Sequence, residues 1–202
     1  MRVSECVRCE NFPCTDMNHN CYIIPPVDVK PERVSILMVS EAAPPNPADY
    51  YYAEGNPLFQ QTTVQAFKDA GVDVSTIGEV MELGVYLTTA VKCGKTAYNI
   101  ESSPVKECSK LLERELALFP HTKAYLLMGD VAINALNQIA RRNNEPRVIP
   151  SGSTYKIRGQ AYFFGGTRVF PSYLQAGPSF FIEKSKRRMI AEDIAKALAI
   201  AK

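Results

Sequence analysis

The chain has 202 residues, of which 46% are hydrophobic and 22% charged, and its formal net charge at pH 7 is +2. This length lets one domain bury a core without disulfides, so we expect a single domain over residues 1–202. The small net charge excludes nucleic-acid binding through bulk charge alone, although clustered charge is compatible with binding. No apolar run could span a bilayer, and the N-terminus lacks the apolar core of a signal peptide. We therefore expect a cytoplasmic protein with no membrane contact.

Residues 1–33 show neither helical nor strand periodicity and are rich in cysteine, asparagine and proline. Six cysteines in a chain without an export signal favour metal or redox chemistry over a disulfide framework. Four of them lie in this segment, namely Cys6, Cys9, Cys14 and Cys21. We expect a metal to order this N-terminal segment.

The next part of the chain alternates predicted strands and helices. These are a strand at Val34–Ser40, a helix from Pro57 to about Ala70, a short helix at Ile77–Leu83 and a strand at Gly84–Val91. The first strand ends beside Glu41 and enters a loop of small residues and prolines, which is how open α/β sheets build a ligand crevice. An ordinary core strand followed by a surface loop explains the same residues equally well.

The second half continues the alternation. Its predicted elements are a helix at Val105–Phe119, a strand at Ala124–Met128, a helix over residues 131–142 with Asp130 as its N-cap, short strands at Tyr155–Ile157, Ala161–Phe164 and Arg168–Phe170, and a final helix at Ser179–Ala201. Strands that alternate with helices predict an α/β fold with a central, mostly parallel sheet.

The cysteines allow two metal sites. Four thiolates can hold either an iron–sulfur cluster or zinc. One set combines the N-terminal Cys6-x-x-Cys9 with Cys93, which follows a strand, and Cys108, which lies in a helix. The other is a local zinc knuckle built from the four N-terminal cysteines, which leaves the two downstream thiols as buried apolar groups. Spacing alone favours neither.

Seven short motifs occur along the chain in one order. They are Cys6-x-x-Cys9, Ser40-Glu41-Ala42-Ala43-Pro44, Gly55-Asn56-Pro57-Leu58-Phe59, Thr89-Ala90-Val91-Lys92-Cys93, Cys108, Leu126-Leu127-Met128-Gly129 and Phe170-Pro171-Ser172. The ordered set resembles the iron–sulfur-containing, family 4-like branch of the uracil-DNA glycosylase superfamily. The resemblance implies a three-layer α/β/α sandwich that acts on DNA. We expect the protein to be a monomer. It also implies a structural iron–sulfur cluster, expected to be [4Fe–4S], with the ligands Cys6, Cys9, Cys93 and Cys108.

Glycosylases of this superfamily flip a base out of the stack and cleave its bond to the sugar. By the resemblance, Glu41 is the motif acid that directs water or stabilises a cationic sugar, and Asp49 and Glu54 in the same loop are the second choices. The positions that the resemblance assigns to the substrate are Ala42, Phe59, Thr89, Phe170 and Ser172.

Three of these positions depart from the family pattern. Thr89 replaces the asparagine that reads the base, Phe170 replaces the histidine of the last motif, and Leu58 stands where the stacking phenylalanine is expected, with Phe59 one residue later. Phe170 cannot donate a hydrogen bond, and the loss of such a donor costs about 10²–10³ in rate. We therefore expect altered or weak uracil excision.

The remaining candidates have two explanations each. The triplet Tyr50–Tyr52 suits either base stacking or loop packing. His121 suits a solvated loop, and His19 either a surface position or a substitute metal ligand. Leu174 is a candidate minor-groove wedge. Basic residues cluster at Lys184, Lys186, Arg187 and Arg188 and at Arg141, Arg142 and Arg147, where a solvated helix face explains them as well as phosphate binding does.

Three functions are consistent with this pattern. The first is a base-excision glycosylase with a structural iron–sulfur cluster. The second is a non-catalytic protein of the same fold that binds nucleic acid or nucleotides. The third is an iron–sulfur enzyme that acts on a free, modified base.

Overall fold

The computed structural model describes residues 1–97 and 99–201. Within them the helices are α1 (Val3–Cys6), α2 (Leu58–Asp69), α3 (Ile77–Glu82), α4 (Ser102–Leu116), α5 (Asp130–Arg142), α6 (Thr154–Ile157), α7 (Ser179–Ile182) and α8 (Lys184–Ala201). The strands are β1 (Met17–Asn18), β2 (Ile36–Ala43), β3 (Val85–Lys95), β4 (Ala124–Met128), β5 (Tyr162–Phe164) and β6 (Thr167–Ser172).

The six strands form one sheet in the order β1-β3-β2-β4-β6-β5. The four inner strands run parallel, and the short edge strands β1 and β5 pair antiparallel with them. The predicted central, mostly parallel sheet is therefore confirmed. Because the inner strands run in one direction, they all end at one side of the sheet, which we call the carboxyl edge.

Helices cover both faces of the sheet. Helices α4 and α5 pack on one face, and α2, α3 and α8 pack on the other. Successive residues of β2 alternate between the two cores, with Leu37 and Val39 on the α4/α5 side and Ile36 and Met38 on the α2/α8 side. Strands buried on both faces read as continuous apolar runs, which is why β2 and β4 were predictable. The predicted three-layer α/β/α sandwich is confirmed.

Three predictions of local structure are wrong, and one of them is the single final helix at Ser179–Ala201, because non-helical Glu183 separates α7 from α8. The segment predicted as a strand at Tyr155–Ile157 belongs to helix α6. Its buried residues, Thr154 and Ile157, are three positions apart while Tyr155 is exposed, so burial follows the helical period rather than the strand period. In addition, Gly129 rather than Asp130 is the N-cap of α5, since Asp130 is already helical.

The N-terminal segment is more regular than its sequence predicts. Strand β1 pairs with the end of β3, through Met17 opposite Lys95. The terminal ammonium donates to the carbonyl oxygen of Val29 at 2.8 Å, which closes residues 1–29 into a loop. Buried Val3 and Val7 anchor the segment in the α4/α5 core. No helix among the described residues is long and apolar enough to cross a membrane.

Candidate functional site

Glu41 lies at the carboxyl edge, near the end of β2, on the same side of the sheet as α5. Its Oε1 accepts the N–H of Val131 at 3.5 Å, in the first turn of that helix. Burial raises the pKa of the Glu41 carboxyl, Asp130 adds to the rise, and the Val131 N–H and the charge of Lys95 oppose it. A carboxyl group with a raised pKa beside a helix N-terminus can hold a water molecule and take its proton. The same contact also stabilises the helix as a cap does.

The approach of Glu41 requires a glycine at position 129. Gly129 has a φ of +100°, and a Cβ there would lie 2.4 Å from Oε1 of Glu41. Any amino acid with a Cβ at position 129 would be strained in this backbone conformation and would collide with the Glu41 carboxylate. The motif acid and the glycine that follows β4 are therefore two parts of one arrangement.

Asp49 has a different position in the same loop. It ends a 3-10 turn over Pro47–Asp49, and its Oδ1 accepts the N–H of Leu58 at 3.4 Å. This contact ties the loop to the start of α2. The observed hydrogen bond gives Asp49 a role in positioning the loop.

The residues predicted to bind the base lie mostly inside the protein. Phe59, Thr89, Phe170 and Ser172 are each at most 9% exposed, and the two phenylalanines belong to the core between the sheet and helices α2 and α8. Ala42 is also buried. A base could reach these side chains only if the residues that cover them moved.

The tyrosines of the loop after β2 are packed into the protein near Phe59. Tyr51 is fully buried, donates to Ser40 Oγ at 2.7 Å, and packs against Phe59 with ring centroids 5.2 Å apart. Tyr52 donates to the carbonyl oxygen of Leu87 at 2.9 Å and accepts the N–H of the same residue. Of the two interpretations of the triplet, the structure shows loop packing.

Two polar groups in this region stand out, and the sequence indicated only one of them. Gln175 is fully buried, and its Nε2 donates to the Tyr51 hydroxyl at 3.0 Å. Oε1 of Gln175 and Oγ1 of Thr89 are buried without a hydrogen-bond partner among the described residues. An amide both donates and accepts, as the missing asparagine would. Sequence reasoning missed Gln175 because it belongs to none of the motifs and only tertiary packing brings it to Tyr51.

Ser172 is held by a buried ion pair. Its hydroxyl donates to Asp193 Oδ2 at 2.7 Å, and the guanidinium of Arg158 bonds both oxygens of the same carboxylate, at 2.8 and 3.0 Å. Burial raises the pKa of Asp193, and the bonds from Arg158 and Ser172 oppose the rise. Ser172 of the Phe170-Pro171-Ser172 motif thus links β6 to Asp193 on α8. Arg158, which directly follows α6, joins that helix to the same carboxylate.

A cavity of about 310 Å³ lies between the N-terminal segment, β3 and α4. The cysteines that line it are Cys9, Cys14, Cys93 and Cys108. Burial raises the pKa of Cys14 to about 11 and that of Cys93 to about 12, and each neighbouring thiol adds to the rise. The structure thus brings three of the four predicted cluster ligands together. The fourth, Cys6, is exposed on α1.

The four cysteines at the cavity are thiol donors, the ligand type that binds zinc and iron–sulfur clusters. Among the described residues no three cysteine, histidine or acidic side chains lie close enough together to hold a single metal ion. A zinc ion would need its thiolates at about 2.3 Å. In a [4Fe–4S] cluster held by four cysteines each iron takes its own thiolate, so the four thiolates surround the cluster instead of converging on one ion. Four cysteines around one cavity fit that requirement.

Behind the cavity lies a buried ion pair. The ammonium of Lys92 is 2.5 Å from Glu115 Oε2 and 2.8 Å from the Thr88 hydroxyl. The other carboxylate oxygen accepts the hydroxyls of Tyr86 and Thr88, at 2.7 and 2.8 Å. This network joins β3 to α4, and those two elements carry Cys93 and Cys108.

An α/β/α sandwich with an acid at the carboxyl edge of its parallel sheet has the architecture that the order of motifs predicts. The sequence profile described as the Uracil DNA glycosylase superfamily matches residues 27–195. The chain therefore belongs to this superfamily. The matched region begins after the four N-terminal cysteines, so it does not include them.

One relative is a Type-5 uracil-DNA glycosylase from Thermus thermophilus. It is 25% identical to this chain over 118 residues, which are 58% of this chain and 51% of the relative. The chain thus matches about half the length of that relative.

Proposed function

We propose that the protein is a DNA base-excision glycosylase, which hydrolyses the N-glycosidic bond of a flipped uracil or other damaged base. The observation that carries this proposal is Glu41, held at the carboxyl edge against Gly129 and the first turn of α5. Membership of the superfamily and the name of the Thermus relative support it. The departures at Thr89 and Phe170 make an altered base preference part of the proposal.

The chemistry assigned to Glu41 is that of a carboxylate beside the sugar. It would orient a water molecule toward the anomeric carbon, or stabilise the positive charge that forms there as the base leaves. Burial raises its pKa, which favours proton exchange with that water over a carboxylate of ordinary pKa. Phe170 lies in the α2/α8 core and cannot protonate or hydrogen-bond the departing base.

Substrate entry requires the tyrosine loop to move. Tyr51 packs against Phe59 and is hydrogen-bonded to Ser40, which lies opposite Thr89, the position that the resemblance assigns to base reading, in the pairing of β2 with β3. A flipped base would therefore displace Tyr51 and could take over its hydrogen bonds with Ser40 and Gln175. This filled pocket is also the observation that favours the second candidate, a nucleic-acid-binding protein that keeps the fold without excision.

An iron–sulfur cluster, expected to be [4Fe–4S], is the second part of the proposal. Cys9, Cys93 and Cys108, which the resemblance implies as ligands, line one cavity in the structure. When bound, the cluster would supply a structural cross-link between the N-terminal segment, β3 and α4.

The proposed DNA-binding surface surrounds α7, which follows the carboxyl end of β6. Buried Phe180 anchors this short helix, while Phe181 is 42% and Ile182 78% exposed. Lys184 and Arg188, at the start of α8, are exposed beside them. Leu174, the wedge candidate from the sequence, is half-buried against the α2/α8 core. We assign the wedge to Ile182, because an apolar tip flanked by cations suits insertion between bases whose phosphates are bound.

The decisive experiment compares Glu41→Gln with Glu54→Gln on a panel of duplexes, each carrying one damaged base. Glu54 lies in the same loop but is exposed, so its replacement controls for charge. We expect Glu41→Gln to lower single-turnover excision by about 10²–10³ and to leave DNA affinity unchanged. Glu54→Gln should behave as the wild type.

Two results would count against the glycosylase proposal. Equal excision by wild type and Glu41→Gln would remove Glu41 from the chemistry. Salt-dependent DNA binding without excision of any base would favour the non-catalytic protein.

A further inference from the structure

The N-terminal segment brings Cys14, in addition to Cys9, to the cysteine cavity. Cys14 is 6% exposed and lines the same cavity as Cys93 and Cys108. Cys14 is therefore a full member of the group.

Cys6 has a different environment, although it forms the Cys-x-x-Cys pattern with Cys9. It is exposed, and it lies on α1 three residues after Val3, which is completely buried. Its Sγ points back along its own helix, 3.7 Å from the carbonyl oxygen of Arg2. Since Val3 anchors α1 in the core, Cys6 cannot turn toward the cavity unless the helix detaches.

A tight turn explains how Cys9 and Cys14 face one cavity. Phe12 has a φ of +42°, a left-handed conformation that is uncommon for an aromatic residue. Its ring packs edge-on against Tyr22, with centroids 5.0 Å apart, and the Tyr22 hydroxyl accepts the N–H of Cys9 at 2.7 Å. This aromatic contact fixes the turn and holds both cysteines at the cavity wall.

The remaining cysteine of the segment is already engaged. The Sγ of Cys21 accepts from Asn18 Nδ2 at 3.2 Å and lies 3.1 Å from the carbonyl oxygen of Pro45, to which it donates. It ties the segment to the loop after β2, and it is not among the cavity-lining cysteines.

We infer that the fourth ligand of the cluster is Cys14, so that the cluster is held by Cys9, Cys14, Cys93 and Cys108 while Cys6 remains a free surface thiol. The inference rests on the cluster of the proposed function and departs from the Cys6-x-x-Cys9 pattern that suggested it. A cluster ligand must be a deprotonated thiol at the cavity, and Cys14 has that position whereas Cys6 does not.

The test compares Cys6→Ser with Cys14→Ser in the full chain, purified without oxygen and reconstituted with iron and sulfide. The readouts are iron and sulfide per chain and the visible absorption band of the cluster. We expect wild type and Cys6→Ser to hold the same iron content and Cys14→Ser to lose most of it. The reverse order, or unchanged iron in Cys14→Ser, would overturn the assignment of Cys14 alone.

A wild-type protein without iron, or with a single zinc ion, would instead overturn the cluster itself and the assignment with it. Circular dichroism separates loss of ligand from loss of fold. If Cys14→Ser does not fold, thiol alkylation of the native wild-type protein decides the question. We expect iodoacetamide to modify Cys6 while iron is retained and to modify Cys14 only after chelation. Protection of Cys6 together with modification of Cys14 in the iron-loaded protein would contradict the inference.

Discussion

The carboxylate of Glu41 occupies the space that a side chain at position 129 would need. Gly129 follows β4, and Glu41 lies near the end of the neighbouring strand β2. The glycine permits both the positive φ and the contact with Oε1. The position of the proposed catalytic acid thus depends on a residue with no side chain.

We expect Gly129→Ala to lower the free energy of unfolding by about 2 kcal/mol or more, since a backbone with positive φ and extended ψ costs about 1–3 kcal/mol for a residue other than glycine and the Glu41 contact adds to it. Excision should fall as well, because the carboxylate must move. The measurement is urea unfolding followed by single-turnover kinetics. Gly165→Ala is the matched control, since Gly165 also has a positive φ but faces open space. Equal losses in the two variants would show that the contact with Glu41 carries no strain.

At the scale of elements, the Lys92–Glu115 pair joins β3 to α4. Both side chains are completely buried. Such a pair contributes little net stability, yet removal of one partner leaves an uncompensated buried charge. Because Cys93 adjoins Lys92 and Cys108 precedes Glu115 by two helical turns, the pair also fixes the distance between two proposed cluster ligands.

A double-mutant cycle measures this coupling. We expect Lys92→Met to cost about 3–5 kcal/mol and the Lys92→Met/Glu115→Leu pair to cost less than the sum of the single changes, by about 1–3 kcal/mol. Urea unfolding of the four proteins gives the coupling energy. The partly exposed pair of Arg142 and Glu113, between α5 and α4, serves as the control and should show at most about 1 kcal/mol. A coupling near zero for the buried pair would show that water reaches it.

The sequence predicted elements where local pattern and packing agree. Strands β2 and β4 are continuous apolar runs, and Ala124–Met128 has the predicted bounds. Helix α6 was missed because its single turn is too short to show a period. The motif positions Glu41, Cys93 and Cys108 followed from order along the chain. Cys14 and Gln175 could not be assigned in this way. The left-handed turn at Phe12 positions Cys14, and a long-range hydrogen bond to Tyr51 positions Gln175, and neither feature has a local sequence pattern.

At the scale of the whole molecule, the basic cluster at the end of α5 and the basic cluster at the start of α8 lie at opposite ends of the parallel strands. Helix α5 begins at the carboxyl edge, beside Glu41, so Arg141 and Arg142 at its last turn lie at the far side. Arg142 is also paired with Glu113. Lys184 and Arg188 near Ile182 come after the carboxyl end of β6, at the carboxyl edge where Glu41 also lies. Only this second cluster could bind the phosphates around a base that enters the proposed site.

The salt dependence of DNA binding tests this division. Each phosphate contact that is lost lowers the slope of log affinity against log salt by about 0.9 on duplex DNA. We expect the Lys184→Ala/Arg188→Ala variant to lower that slope by about 1.8, because both cations lie beside the exposed tip of α7. Fluorescence anisotropy at a series of salt concentrations measures it. Arg141→Ala removes an exposed cation at the far side and should leave the slope unchanged. An equal effect of Arg141→Ala would mean that DNA binds without a preferred face, in which case neither Ile182 nor Glu41 could be aimed at a flipped base.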